Sequence, residues 1–284
     1  MKLAFAGKGG AGKTTLAAWT ADYLARHGHD VWMIDADTAL SLGRASGLPR
    51  DGLPVPLVER HDLIMQRIGT GMISLTPEVG DLPEALAVDV PIGGPATPGV
   101  APGRKRLLVM GSVAGAGGGC ACEANALLKA LLAHLVHDRR EWVLVDLEAG
   151  VEHLGRGTVA AVDGLAVVSE PGLRSLETAA DIAWLAHGLG LHRQVLALNR
   201  LPLSPQEPCA ACAEDDRLPR LPNLPDTPEL SGLPAARVGV PALPGLAARM
   251  LDNACVTGLP EQALVDRFIA RLLEGFGHTS GITD

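Results

Sequence analysis

Apolar residues in this chain gather in short unbroken runs instead of alternating with polar ones. Leu3-Ala4-Phe5-Ala6, Val31-Trp32-Met33-Ile34, Trp142-Val143-Leu144-Val145, Leu165-Ala166-Val167-Val168 and Val195-Leu196-Ala197-Leu198 are such runs, and Arg106-Leu107-Leu108-Val109-Met110 is another once its first residue is set aside. A strand with one wet face alternates, whereas an unbroken run is buried on both faces, as in a parallel sheet covered by helices. Between the runs the spacing turns helical, over Leu16 to His27, Glu123 to His137 and Leu173 to His187. The second of these carries Leu127, Leu128, Leu131, Leu132, Leu135 and Val136 on one broad face,. Strands alternating with helices predict an α/β fold with a doubly wound, mostly parallel sheet. A final helix over Glu261 to Phe276 has Leu264, Phe268, Leu272 and Phe276 on its apolar side, while its polar side mixes Glu261, Asp266 and Glu274 with Arg267 and Arg271. A helix lying on a membrane surface is richer in Lys and Arg, so this one is expected to pack against the core.

Three stretches break the rhythm. Met72-Ile73-Ser74-Leu75 reads as a short strand in a region of weak signals from Leu42 onward. Residues Val90 to Gly103 are dense in Gly and Pro without periodicity and read as an insertion loop,. From Leu201 to Pro244 prolines recur, which predicts a partly ordered surface excursion without regular helix,. A chain of 284 residues fits one domain over 1–284 carrying these two insertions,.

Composition narrows the functions. A hydrophobic fraction of 47% supports a sizeable core, and 3% aromatic residues leave aliphatic side chains and alanine to fill it. A net charge of −8 argues against a general nucleic-acid surface, which needs a basic stripe to neutralise phosphates,. The first apolar run leads straight into a glycine loop and not into a signal-peptide pattern, and no run has the length of a membrane span,. A cytoplasmic protein that binds neither membrane nor nucleic acid is expected.

That glycine loop, Gly7-Lys8-Gly9-Gly10-Ala11-Gly12-Lys13-Thr14-Thr15, fits G-x-x-x-x-G-K-[ST] and lies between a strand and a helix, the order a phosphate-binding loop requires,. Glycines let backbone N–H groups turn toward phosphates, and the helix adds its positive end. Gly9, Gly10, Ala11, Gly12, Lys13, Thr14 and Thr15 are the candidate nucleotide contacts. Lys13 would reach the terminal phosphates and the Thr14 hydroxyl would ligate Mg²⁺. Two later strands deliver carboxylates at their C-terminal ends, where open α/β sheets place ligands. Asp37 can position or deprotonate the attacking water, or hold Mg²⁺ through a water, while Asp35 reads equally as a strand-end hydrogen bonder. Asp146 is placed near Mg²⁺, and Asp146-Leu147-Glu148-Ala149-Gly150 has the D-x-x-x-G form of a γ-phosphate-sensing switch,. These parts suffice for slow ATP hydrolysis to ADP.

Five cysteines, an odd number, do not suggest a disulfide framework in a cytosolic chain,. Cys120 and Cys122 flank one residue, so in an extended turn both thiolates can meet one metal. Two sulfurs do not complete a tetrahedral site, but two copies across a dimer axis supply four. Thiolate ligands alone leave Zn²⁺, Cu(I), Ni²⁺ and an iron–sulfur cluster open. Cys209 and Cys212 form a C-x-x-C that reads either as half a metal site or as an incidental pair on a loop, and Cys255 reads as structural.

The pattern Lys8-Gly9-Gly10-Ala11-Gly12-Lys13-Thr14 resembles the deviant P-loop of the MinD, ParA and nitrogenase iron protein group. The resemblance implies that Lys8 reaches across a dimer to the partner's nucleotide, giving it a catalytic role beside Lys13 and Asp37, and that Asn199 hydrogen-bonds the adenine edge. In that group the aspartate corresponding to Asp37 is usually followed by proline, where this chain has Thr38. The run Gly117 to Leu132 around Cys120-Ala121-Cys122, together with Val145 to Thr158, which contains Glu148-Ala149-Gly150-Val151-Glu152-His153-Leu154-Gly155, resembles the CooC family of nickel-binding ATPases. Most of residues 1–200 share the likeness, which fades in the two insertions. It implies a homodimer with Ni²⁺ or Zn²⁺ at Cys120 and Cys122 on the interface. It further implies nickel delivery, coupled to ATP, for maturation of the carbon monoxide dehydrogenase active-site cluster. His153 then reads as a switch-helix surface residue. An iron–sulfur scaffold or carrier ATPase and a ParA/MinD-like positioning ATPase are the alternatives built on the same engine.

Overall fold

The computed structural model describes residues 1–37, 39–68, 77–111, 127, 130–131, 133–135, 141–148, 162–203 and 218–278. Among them eight strands form one sheet: β1 (Lys2–Gly7), β2 (Val31–Ala36), β3 (Val88–Asp89), β4 (Lys105–Val109), β5 (Trp142–Leu147), β6 (Gly164–Ser169), β7 (Gln194–Leu201) and β8 (Ala236–Pro241). Their order across the sheet is β3-β4-β2-β5-β1-β6-β7-β8. Every pairing is parallel except β3 with β4, so the sheet is the mostly parallel one expected.

Burial on both faces explains why the strand sequences run apolar without alternation. Leu3, Phe5, Val31, Met33, Leu144, Val168 and Ala197 face one side, against helix α1 (Lys13–Arg26) and the C-terminal helix. Ala4, Ala6, Trp32, Ile34, Val143, Val145, Val167 and Leu196 face the other. There they meet Leu127, Leu131 and Leu135, whose positions are helical as expected, and the helix that follows β6. Besides those positions, the helices described between α1 and β8 are α2 (Leu42–Ala45), α3 (His61–Ile68), α4 (Leu82–Leu86) and α5 (Leu173–Gly188). After β8 come α6 (Pro244–Arg249) and α7 (Gln262–Gly275). Helix α7 buries Leu264, Phe268 and Leu272, with Phe276 just beyond it, so it packs on the core as its mixed-charge polar side implied.

One expectation needs correction. The proline-rich stretch from Leu201 to Pro244 is not a surface excursion throughout: residues 236–241 pair with β7 as the edge strand β8, with Val238 and Val240 buried. Pro241 is tolerated there because it ends an edge strand, where its missing N–H costs no central ladder bond. Residues 90–103 do form an irregular loop. The expected strand at Met72–Leu75 lies outside the described residues, as do Cys209 and Cys212.

The chain leaves β1 to one side for β2, β4 and β5 and to the other for β6, β7 and β8. The loop after β1 therefore sits at the switch point of the sheet, where open α/β folds bind ligands.

Candidate nucleotide site

The glycine loop joins β1 to α1 in a conformation that only glycine allows at two places. A Cβ on Gly7 would lie 2.1 Å from the Val168 carbonyl oxygen, and one on Gly12 (φ +104°) would lie 2.2 Å from Asn199 Nδ2,. Within the loop Ala11 N–H donates to Lys8 O at 3.1 Å. Gly12 is the N-cap of α1 and provides no side-chain cap, so the first N–H groups of that helix are open to an anion,. Lys13 is buried in the first turn, whereas Lys8, Gly9 and Gly10 are exposed on the outer side of the loop.

Two aspartates meet at the C-terminal edge of neighbouring strands. Asp35 on β2 is the register partner of Asp146 on β5, and both are fully buried. Asp35 accepts from Leu42 N–H at 3.0 Å and from Asp37 N–H at 3.3 Å, which gives it the strand-end role of holding the chain between β2 and α2. Asp37 sits half-buried and accepts from Ala39 N–H at 2.9 Å, a turn-forming contact two residues on,. Asp146 Oδ2 accepts from the Thr14 hydroxyl at 2.6 Å, and Ser41 Oγ lies 3.4 Å from that same hydroxyl.

The other oxygen of Asp146, Oδ1, is buried without a hydrogen-bond partner among the described residues. Burial raises the Asp146 carboxyl to about 7, with the Thr14 hydroxyl opposing the shift and the Asp35 charge adding to it. Burial likewise raises Asp35 to about 6, against its two backbone N–H donors. A divalent cation beside Thr14 and Asp146 would supply the missing partner and the missing positive charge, so these residues fit Mg²⁺.

Asn199, at the end of β7, points its Nδ2 at Ala11 O (2.7 Å) and receives Arg200 N–H on Oδ1 (2.8 Å). Arg200 contacts Gly10 O through Nη2 at 3.1 Å and pairs with Glu170. Sequence reading overlooked Ser41, Glu170 and Arg200; the only available signal for Arg200 was its place directly after Asn199. The structure thus gathers the loop, Lys13, Thr14, Asp37, Asp146 and Asn199 at the C-terminal end of the sheet. Glu148 follows β5 directly. Gly150, His153, Cys120 and Cys122 lie outside the described residues. Among the described residues no three His, Cys, Asp or Glu side chains cluster as a metal site, and no helix is long and apolar enough to cross a membrane.

Comparison with known proteins agrees with this geometry. Residues 3–183 match the model of the CobQ/CobB/MinD/ParA nucleotide binding domain. The chain is 41% identical over 208 residues to the carbon monoxide dehydrogenase accessory protein CooC of Rhodospirillum rubrum, covering 71% of this chain and 74% of that protein. It is 36% identical over 207 residues to an uncharacterized ATP-binding protein of Methanocaldococcus jannaschii, covering 71% and 75%. In fold it is similar to a chain of the MinC:MinD cell division protein complex of Aquifex aeolicus, with TM-score 0.59, 18% identity and coverage of 100% and 98%. It is similar also to MinD of Pyrococcus horikoshii complexed with Mg-ADP, with TM-score 0.58, 15% identity and coverage of 99% and 97%. A glycine loop at the switch point, a partly buried Thr–Asp pair behind it and a sequence match that spans both place the chain in the CobQ/CobB/MinD/ParA family of nucleotide-binding ATPases, as a homologue of CooC.

Proposed function

We propose that this protein is an ATP-hydrolysing homodimeric metal chaperone that delivers nickel for maturation of the carbon monoxide dehydrogenase active-site cluster. The observation that carries the reading is the 41% identity to the Rhodospirillum rubrum accessory protein over nearly three-quarters of its length. In this reading the loop N–H groups and Lys13 bind the phosphates, and Thr14 and Asp146 would hold Mg²⁺, which when bound neutralises phosphate charge. Asp37 orients the attacking water or a water on Mg²⁺, and Gly150 senses the γ-phosphate from the loop after Asp146 and Glu148. Lys8 is exposed in the loop; in this reading it reaches across to the partner's nucleotide, which would tie the dimer to the nucleotide state.

Nickel is the cargo. One C-x-C supplies two thiolates, Cys120 and Cys122, and a second copy supplies two more, so a closed dimer completes a four-sulfur site and an open one weakens it. Hydrolysis that loosens the dimer would then release the ion to the enzyme being matured.

The test is a titration of metal-free protein with Ni²⁺ in reducing buffer, following thiolate charge-transfer absorbance and mass together. About one nickel per dimer is expected, lost in the Cys120→Ala/Cys122→Ala double variant. Absence of nickel binding by wild type, with and without ATP, would refute the proposal. A protein isolated brown with bound iron would point instead to iron–sulfur cargo.

A further inference from the structure

Asn199 and Arg200 are consecutive residues, yet both side chains reach the glycine loop. In a regular strand successive side chains point to opposite faces. Here β7 carries one extra residue relative to β8, since Leu198 pairs with Gly239 and Leu201 with Pro241. Arg200 takes a left-handed backbone, φ +60°, which non-glycine residues adopt only when the surroundings impose it. The Asn199 side chain holds that turn by accepting Arg200 N–H at 2.8 Å. Such bulges re-aim side chains next to active sites. This one turns two neighbours onto two neighbouring carbonyls, Ala11 O for Asn199 and Gly10 O for Arg200.

Those carbonyls fix peptide planes. In a trans peptide the N–H points opposite to the C=O. Asn199 pulls Ala11 O toward β7, which turns Gly12 N–H away from β7. Arg200 holds Gly10 O, which keeps Ala11 N–H on Lys8 O and closes the turn. Glu170 anchors the guanidinium, and its own N–H is received by Ser175 Oγ at 3.1 Å, so the bracket rests on the start of α5.

We propose that Asn199 and Arg200 are positioning residues of the phosphate site, which set the loop's peptide planes from behind and so strengthen binding of any phosphate chain regardless of base. The inference rests on the glycine loop being the phosphate site, not on the nickel reading. It also assigns Asn199 work other than reading adenine.

The experiment measures binding of MgADP, MgGDP and magnesium pyrophosphate to the full chain by calorimetry. Asn199→Ala is expected to weaken all three by the same factor, about tenfold. Asn199→Asp, which sets a carboxylate against Ala11 O, should be no better. Arg200→Gly keeps the left-handed turn without steric strain, so its loss of binding, also equal for the three ligands, reports the guanidinium and covers the case in which the Asn199 variants fold poorly. Apo melting temperature separates the two effects: binding should fall even in a variant that melts with wild type. Loss of MgADP binding with pyrophosphate unchanged would overturn the inference in favour of base reading. Unchanged binding of all three would overturn it as well. Wild type that binds none of them, as Lys13→Ala is expected to do, would instead remove the phosphate-site assignment itself.

Discussion

Helix α1, which begins with Lys13 and Thr14, is tied to the sheet by a buried charge network whose removal should be costly and asymmetric. Lys105 Nζ on β4 donates to Asp22 Oδ1 at 2.8 Å, with side-chain exposures of 0% and 1%. Asp22 also receives Arg26 Nε at 3.0 Å and Gly93 N–H at 2.8 Å, and Arg26 pairs onward with Asp266 on α7. Lys105→Met leaves Asp22 with two donors, so its cost belongs at the lower end of the 3–5 kcal/mol range for breaking a buried pair, about 3 kcal/mol. Asp22→Ala leaves the Lys105 ammonium without a carboxylate. Burial already lowers the Lys105 pKa, the Asp22 charge and hydrogen bond opposing the shift. Without Asp22 the lysine escapes by losing its proton, which from an ordinary value of 10.5 limits the penalty at pH 7 to about 5 kcal/mol, at 1.36 kcal/mol per unit. A neutral native Lys105 means that the unfolded chain binds more protons, so the deficit of Asp22→Ala should shrink by about 1.4 kcal/mol for each pH unit raised toward 10. Urea unfolding of wild type and both variants at pH 7, 8 and 9 measures this. The reasoning is refuted if Asp22→Ala costs less than Lys105→Met at pH 7, or if its deficit does not change with pH.

Acid should act on the same carboxylate. Burial tends to raise the Asp22 pKa, but Lys105, Gly93 N–H and Arg26 bring it net below 3.8. Its contribution is therefore complete above pH 4 and is lost as pH falls through the lowered native value; the acid limb of the stability curve should flatten in Asp22→Asn. Asp146→Asn keeps the shape that receives the Thr14 hydroxyl but removes the charge that would face Mg²⁺, so ADP affinity should fall at least tenfold in Mg²⁺ and change little in EDTA, read by calorimetry,. Phe268→Ala removes a fully buried ring that meets Trp19 at 5.2 Å and should cost about 3–5 kcal/mol in urea unfolding,; vesicle binding by wild type that Phe268→Ala abolishes, without loss of stability, would contradict the packing role of α7.

The elements easiest to read from sequence were those whose evidence is contiguous. Strand, glycine loop and helix follow one another over residues 2–26, and the apolar runs of β2, β5 and β6 end where their carboxylates or turns begin. Polar residues inside elements were harder. Sequence periodicity starts β4 at Arg106, whereas the strand begins at Lys105, which is buried because Asp22, 83 residues away, neutralises it. Arg106 is covered in turn by lying 3.9 Å over the Trp32 ring and pairing with Glu84 and Glu141. Strand β8 was concealed by the prolines around it, although Arg237-Val238-Gly239-Val240 alternates as an edge strand does,.

The same distinction separates the two halves of the site. Residues that would touch the nucleotide lie in a loop whose chemistry is written in nine consecutive positions. What holds that loop in shape comes from 188 residues further along, where a one-residue bulge and a left-handed arginine bring Asn199 and Arg200 to its back. No spacing rule announces such a contact, because a bulge changes which face a side chain occupies without changing composition or period. Its functional weight follows from mechanics, since an anion-binding loop is useful only if its N–H groups are already aimed before the phosphate arrives. A loop rich in glycine is the segment least able to aim them unaided, because glycine gives up the most conformational freedom on being fixed. The glycines that admit the phosphates therefore require an external bracket, and β7 provides it.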